Sequence, residues 1–246
     1  MKFTVGWLYP DLMNIYGDRG NILTLLKRAE WRGLETQLRE IGRGPANDQM
    51  EDVDLFFFGG GQDREQALIY DDLKQNKQES LQRAVEKDGA QVLAVCGGYQ
   101  LLGHYYQTAD GRRFDGIGMI DVTTQAGKKR FIGDVVVRTD IEGLTPMSLV
   151  GFENHSGRTF LGPQAKPLGR VLVGNGNNGA DKTEGAIQGN ITGTYLHGSL
   201  LPKNPQLADY LIGKALTRRG GGALSPLDDS AELAAHGWIL QRAQRR

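Results

Sequence analysis

Cys96 is the only cysteine in the 246-residue chain, and it stands where a nucleophile would. It ends the apolar run Gln91 to Val95 and is followed at once by Gly97-Gly98 and the start of a helical stretch. A nucleophile on a tight strand-to-helix turn needs small residues on either side, because the turn is strained and the side chain must protrude. Ala94 and Gly98 are those residues. The helix N-terminus beyond the turn favours thiolate over thiol, and thiolate is the reactive form. A lone cysteine is more often a small buried hydrophobe. The two glycines directly after it favour the reactive reading. Such a thiolate needs a proton-shuttling partner, and the chain has four histidines. His197, in Thr194-Tyr-Leu-His-Gly198, closes an apolar strand and is followed by glycine, which suits a catalytic base. His155 lies in the polar stretch Gly151 to Gly157, read as a loop, and is the second candidate. His104 and His236 sit in helical stretches and read as structural. An oxyanion hole needs backbone N–H donors. Gly97 can supply one, and Gly60, within Gly59-Gly60-Gly61, the other. The histidines lack metal-ligand spacing and no carboxylate cluster accompanies them, so no metal site is expected.

The elements that must hold these residues read as an α/β fold. Lys2 to Leu8 reads as the first strand. A helix then starts at Asp18 to Asn21, with Ile22, Leu25, Leu26 and Ala29 on one face and Gly33 as its stop. Leu34 to Ile41, Asp54 to Phe58 and Gln91 to Val95 read as further strands, with one polar helix from about Asp63 to Lys87. Hydrophobic strands alternating with helices predict a mostly parallel sheet covered on both faces. From Gly116 to Thr194 the texture changes to short β pieces (Asp134 to Arg138, Leu168 to Val173, Ala186 to Gln188, Ile191 to Tyr195) between glycine-rich turns. Helices return at Asn204 to Leu216 and Ser230 to Gln241. Without a linker or an internal repeat, residues 1–246 are expected to form a single domain.

Composition closes off other classes. Basic and acidic side chains balance at 29 each, whereas a nucleic-acid binder normally carries a basic excess. No apolar run approaches the ~20 residues of a bilayer span. One cysteine allows no intrachain disulfide, which fits a reducing, cytoplasmic setting. Glycine supplies 35 residues, about twice the ~7% average, with no collagen-like period. Gly174-Asn-Gly-Asn-Asn-Gly179 fits the G-x-G-x-x-G pattern, but no amphipathic helix follows it to present an N-terminus to pyrophosphate. It reads as a loop.

Cys96-Gly97-Gly98-Tyr99-Gln100 with Tyr195-Leu196-His197-Gly198 resembles the class I (Triad) glutamine amidotransferases, in the branch that includes cobyric acid synthase. Three further stretches are the long segment from Leu8 to Asn21 (Leu-Tyr-Pro-Asp-Leu-Met-Asn-Ile-Tyr-Gly-Asp-Arg-Gly-Asn), Gly151 to His155, and Gly174 to Asn178. They are similar to signatures of the glutaminase subunits of bacterial lipid II isoglutaminyl synthases. The likeness runs along essentially the whole chain. It implies the class I amidotransferase fold, which is flavodoxin-like or Rossmann-like. It further implies that Cys96 attacks L-glutamine to give ammonia and a γ-glutamyl thioester, with His197 as the proton carrier. Gln100 and Arg130 match positions that hold the substrate, and a guanidinium suits its α-carboxylate through a fork-like pair. Taken alone, Lys128-Lys129-Arg130 would read as a solvated basic run.

The resemblance also implies a partner: MurT, a Mur-ligase-like synthetase subunit in a heterodimer, which amidates the D-glutamate of the lipid II stem peptide. The chain carries no G-x-x-x-x-G-K-S/T loop, so ATP and magnesium are expected on that partner and no cofactor here. Lipid II would be reached through the partner, near the inner membrane face. Other readings are a cobyrinate-type glutaminase and a non-catalytic binding module of the same fold. One departure stands out. Most class I members carry an acid two residues after the histidine, and Ser199 occupies that position. A hydroxyl cannot stabilise an imidazolium as a carboxylate does. Either a dyad suffices, or the acid comes from elsewhere in the chain, or a partner supplies it.

Overall fold

The computed structural model describes residues 1–245. Its strands are β1 (Lys2–Leu8), β2 (Glu35–Ile41), β3 (Leu55–Phe58), β4 (Gln91–Val95), β5 (Tyr105–Gln107), β6 (Arg113–Asp115), β7 (Val122–Thr139), β8 (Ser148–Leu161), β9 (Gly169–Val173), β10 (Thr183–Glu184), β11 (Ala186–Gln188) and β12 (Ile191–Thr194). Its helices are α1 (Arg19–Glu30), α2 (Asp63–Asp72), α3 (Gln78–Glu86), α4 (Gly97–Leu102), α5 (Pro205–Thr217) and α6 (Ser230–Gln244).

A first sheet runs in the order β11-β12-β4-β3-β1-β2. All its pairs are parallel except the edge strand β11. Every residue of β3, β4 and β12 is buried. For β3 and β4 this matches their apolar runs, since a parallel sheet covered on both faces has no solvent side to alternate toward, whereas β12, Ile-Thr-Gly-Thr, is buried with two threonines in it. The order places the C-terminal ends of β3, β4 and β12 side by side. These are the ends that carry Gly59 to Gly61, Cys96 and the His197 segment.

The polar helix expected from Asp63 to Lys87 is not one helix. A π-helical stretch, Leu73–Lys77, separates α2 from α3. Lys77 within it is buried, bonded to the Gly44 carbonyl and 3.3 Å from Asp72. Wider turns of this kind let one side chain be redirected without ending the helix.

The larger correction concerns residues 116–194. Two long antiparallel strands, β7 with 18 residues and β8 with 14, dominate a second sheet ordered β10-β9-β7-β5-β6, with β8 paired on β7. Gly151 to Gly157, read as a loop from sequence, lies inside β8. Burial along β8 does alternate, but its buried members after Gly151 are Glu153, His155, Gly157 and Thr159. The period of two is carried by polar residues and glycine, so a search for apolar alternation passes over it.

Close packing at the sheet's end fixes what β12 can carry. A Cβ on Gly193 would lie 2.0 Å from Cδ2 of the fully buried Tyr99 ring. Gly193→Ala is therefore expected to destabilise the fold by about 1–3 kcal/mol through overpacking. Urea unfolding of both proteins measures this as a lowered midpoint.

Candidate active site

Cys96 joins β4 to α4 with φ +51° and ψ −104°, a conformation that L-residues rarely adopt. The strain is held on three sides. Cys96 N–H donates to Thr194 O at 2.9 Å, Gln100 N–H donates to Cys96 O at 2.9 Å, and Gly98 N–H donates to Gly59 O at 3.1 Å. The glycines are required by closeness: a Cβ on Gly98 would sit 2.5 Å from Phe58 O. A Cβ on Gly97 would sit 2.8 Å from Gly61 O. The nucleophile turn is thus pressed against Gly59-Gly60-Gly61 at the end of β3.

His197 follows β12 and is fully buried. Its backbone bridges to Phe152 of β8 in both directions, N–H to O at 2.8 Å and O from N–H at 3.3 Å. A Cβ on Gly60 would lie 2.9 Å from its Cε1. The Tyr16 ring meets its face edge-on at 5.0 Å. Its Nδ1 lies 3.9 Å from Oδ1 of the fully buried Asp18. Burial opposes a charge on this ring, but the neighbouring Cys96 thiolate and the Asp18 carboxylate outweigh it and push His197 up to about 9.

The other expected residues fall into two groups. Gln100, Arg130 and His155 line one cavity of about 220 Å³ together with Cys96. Arg130 is brought there by a bulge in β7, where residues 127–130 intervene between the Ala126–Gly157 and Phe131–His155 pairs. Gln100 is already engaged: its Oε1 accepts from Gln66 Nε2 at 2.9 Å, and its Nε2 donates to the Tyr195 hydroxyl at 3.0 Å. His155 stacks on Tyr195 with centroids 3.7 Å apart, and burial holds its imidazole below the ordinary range despite Glu153 nearby.

Gly60 differs from its expected use. Its N–H donates to Asp18 Oδ2 at 2.6 Å, so in this conformation that donor is committed to a carboxylate. His104 pairs with Asp121 at the surface. His236 is packed inside, its ring nitrogens 2.8 Å from Ser148 Oγ and from Lys203 O. Among the described residues no cluster of three or more His, Cys, Asp or Glu side chains is arranged to hold a metal. Among the described residues no helix is long and apolar enough to cross a membrane.

Several residues at this site were not singled out from sequence. Asp18 reads as a helix start, yet its side chain makes no capping bond and turns toward Gly60 and His197. Glu153 is wrapped by Asn175 N–H, Asn175 Nδ2 and Gly176 N–H, which explains the glycine–asparagine loop without any nucleotide. Glu184 is fully buried and accepts from Tyr195 N–H at 2.7 Å and from the Thr194 hydroxyl.

The sequence pattern of the CobB/CobQ-like glutamine amidotransferase domain matches residues 4–205. The chain is 41% identical over 246 residues to the "Lipid II isoglutaminyl synthase (glutamine-hydrolyzing) subunit GatD" of Staphylococcus aureus (strain N315), covering 100% of this chain and 98% of that protein. It is 43% identical over 221 residues to the subunit of the same name from Streptococcus pneumoniae (strain ATCC BAA-255 / R6), covering 89% and 83%. Against a probable cobyric acid synthase of Methanothermobacter thermautotrophicus it is 31% identical, over 74% of this chain but 37% of that protein. Among solved structures, a glutamine amidotransferase superposes with TM-score 0.56 at 17% identity, covering 86% of this chain and 98% of that one. The glutaminase domain of Trypanosoma brucei CTPS with bound acivicin also gives 0.56, at 11% identity, covering 91% and 96%. The fold is that of the class I glutamine amidotransferases.

Burial comes first in pushing Glu184 up from 4.5 to about 7, with the Glu153 charge adding to it, and hydrogen bonds from Tyr195, Thr194 and Gly185 only partly offset it. A folded-state value above the unfolded one stabilises the fold fully below about 4.5, and that contribution is lost as pH rises through about 7. Glu184→Gln carries no such dependence. Its melting temperature should therefore gain on wild type between about pH 5 and 8.5, at ~2–4 °C per kcal/mol for a chain of this size. A constant difference across that range would contradict this.

Proposed function

The chain belongs to the CobB/CobQ-like glutamine amidotransferases, and from that premise we propose that it is the glutaminase subunit of a synthase that amidates lipid II. The observation that carries this reading is the strained Cys96 beside the buried His197, opening on a cavity that Arg130 also lines. Coverage of 98% of a GatD subunit against 37% of a cobyric acid synthase favours the lipid II reading over the cobyrinate one.

On this reading the Cys96 thiol gives its proton to His197, and the thiolate attacks the side-chain amide carbon of glutamine. The oxyanion of the tetrahedral intermediate is met by backbone N–H groups at the start of α4 and at Gly61, since Gly60 N–H stays on Asp18. A ring that holds its proton up to about pH 9 is a suitable acid for the leaving ammonia. Once ammonia has left, the neutral imidazole takes a proton from water, which attacks the γ-glutamyl thioester. Glutamate departs and the thiol is restored. Arg130 holds the substrate α-carboxylate with its guanidinium fork. Gln100, tied between Gln66 and Tyr195, acts by fixing the cavity wall and turns its remaining amide hydrogen to the substrate. The ammonia passes to a Mur-ligase-like subunit of the MurT kind, which holds the ATP and magnesium and activates the carboxylate of the lipid II stem peptide at the cytoplasmic face.

A glutaminase assay of the full chain, alone and with its synthetase subunit, tests the reading. Cys96→Ala should abolish hydrolysis with the fold intact, and retained activity would remove Cys96 from the mechanism. His197→Ala should cost ~10²–10⁴-fold in turnover, and more than His155→Ala.

Arg130→Ala should raise KM for glutamine with little change in kcat. Arg130→Lys should recover little of it, because a point charge does not reproduce the fork. Unchanged glutamine kinetics in the alanine variant would return Arg130 to the solvated basic run.

A further inference from the structure

We propose that Asp18, held in place by Ser199, is the positioning carboxylate for His197, so that the acid of the catalytic set comes from the segment before α1 and not from the position two residues after the histidine. The proposal rests on the glutaminase reading. It begins with two buried polar atoms that face one another. Asp18 Oδ1 and His197 Nδ1 are 3.9 Å apart, both side chains are fully buried, and among the described residues neither atom has a hydrogen-bond partner. An ionised carboxylate taken out of water with one oxygen unsatisfied is costly, and so is an unpaired ring nitrogen. Each is the nearest remedy for the other. A movement of about 1 Å would bring them to ordinary hydrogen-bond length.

The carboxylate cannot drift far from this position. Its other oxygen is fixed by Gly60 N–H at 2.6 Å. The chain on either side of it is tied to the segment that follows His197. Ser199, itself at φ +52°, donates its hydroxyl to Gly17 O at 2.7 Å. Leu201 N–H donates to Asn21 Oδ1 at 2.9 Å. The fit is tight: a Cβ on Gly20 would meet Ser199 Oγ at 2.4 Å. Two ties, at Gly17 and Asn21, thus bracket Asp18 and hold it against the ring. Ser199 contributes no charge to His197. It holds in place the residue that does.

The chemical consequence is a choice of tautomer. A carboxylate on Nδ1 keeps the proton there when the ring is neutral and leaves Nε2 for the proton exchanged with Cys96 and the leaving group. Asp18→Asn separates this role from a structural one. Its amide oxygen can still accept from Gly60 N–H, while its NH₂ faces Nδ1 and favours the opposite tautomer.

The test measures glutamine hydrolysis by full-length wild type and Asp18→Asn, alone and with the synthetase subunit, alongside melting temperature and the ¹⁵N spectrum of labelled histidine. The expected result is kcat at least about a hundredfold lower, KM within about threefold, a melting temperature near wild type, and His197 changed from Nδ1–H to Nε2–H at alkaline pH. If Asp18→Asn does not fold, Ser199→Ala takes its place, with a several-fold loss in kcat and unchanged KM expected. Wild-type kcat in Asp18→Asn, or in Ser199→Ala where that stands in, would overturn the proposal and leave a dyad or a partner's carboxylate in its place. Hydrolysis by Cys96→Ala, or none by wild type in complex, would instead overturn the glutaminase reading itself.

Discussion

The site depends on how closely α4 backs onto the ends of β3 and β4. The helix begins at the residue after Cys96, and at Gly98 its backbone is too near Phe58 O to admit any side chain. With no room for a connecting loop, Cys96 must turn the chain by itself, and it does so at positive φ. Such a conformation costs on the order of 1–3 kcal/mol and persists only where its surroundings hold it. Here the hydrogen bonds from Cys96, Gly98 and Gln100 to the neighbouring strand ends and the turn itself do so. The same closeness brings the β3 glycines, the nucleophile turn and the His197 segment together at one edge of the parallel sheet, where open α/β sheets bind their ligands.

The second sheet supplies what the first cannot. The first sheet's central strands β3 and β4 are almost wholly apolar and offer few polar side chains to line a cavity. β8 alternates polar residues inward, and the bulge in β7 adds a guanidinium. The result is a wall of linked polar groups: Gln66 to Gln100 to Tyr195, then Thr159 and Thr124. Buried polar chains of this kind are costly when incomplete and rigid when satisfied. Glu153 and Glu184 support the wall from behind, each accepting several backbone and side-chain donors. Of the buried polar atoms left unpaired among the described residues, Asn154 Oδ1, Gln66 Oε1 and His155 Nε2 belong to residues that line the cavity, and Asp18 Oδ1 and both His197 ring nitrogens lie beside Cys96. Others, among them Trp7 Nε1, Gln37 Oε1 and Gln206 Oε1, belong to residues outside the cavity.

Much of this was legible in the sequence where one short stretch carries its own physics. The Cys96 turn, the strand ends before Gly59 and at His197, and the apolar strands β1, β3 and β4 are local patterns of type and spacing. What escaped notice is non-local or chemically disguised. Asp18 meets His197 across 179 residues of sequence, and a lone aspartate before a helix looks like a cap. β8 looks like a loop because its inward positions are Glu153, His155, Gly157 and Thr159. The bulge that aims Arg130 into the cavity depends on register with a strand that had itself been missed. Gly60 N–H could be identified as a donor from its place in the chain, but its acceptor could not.

The central claim is that the strained Cys96 becomes acylated by glutamine. Acid-quenching the enzyme with its synthetase subunit within one turnover, then mapping its peptides by mass, tests that claim directly. The account predicts an added glutamyl group on the Cys96 peptide, labile to hydroxylamine and enriched in His197→Ala if any acylation survives there. Steady-state release of ammonia with no adduct on Cys96 at any quench time, and with the glutamyl group found elsewhere or nowhere, would contradict it.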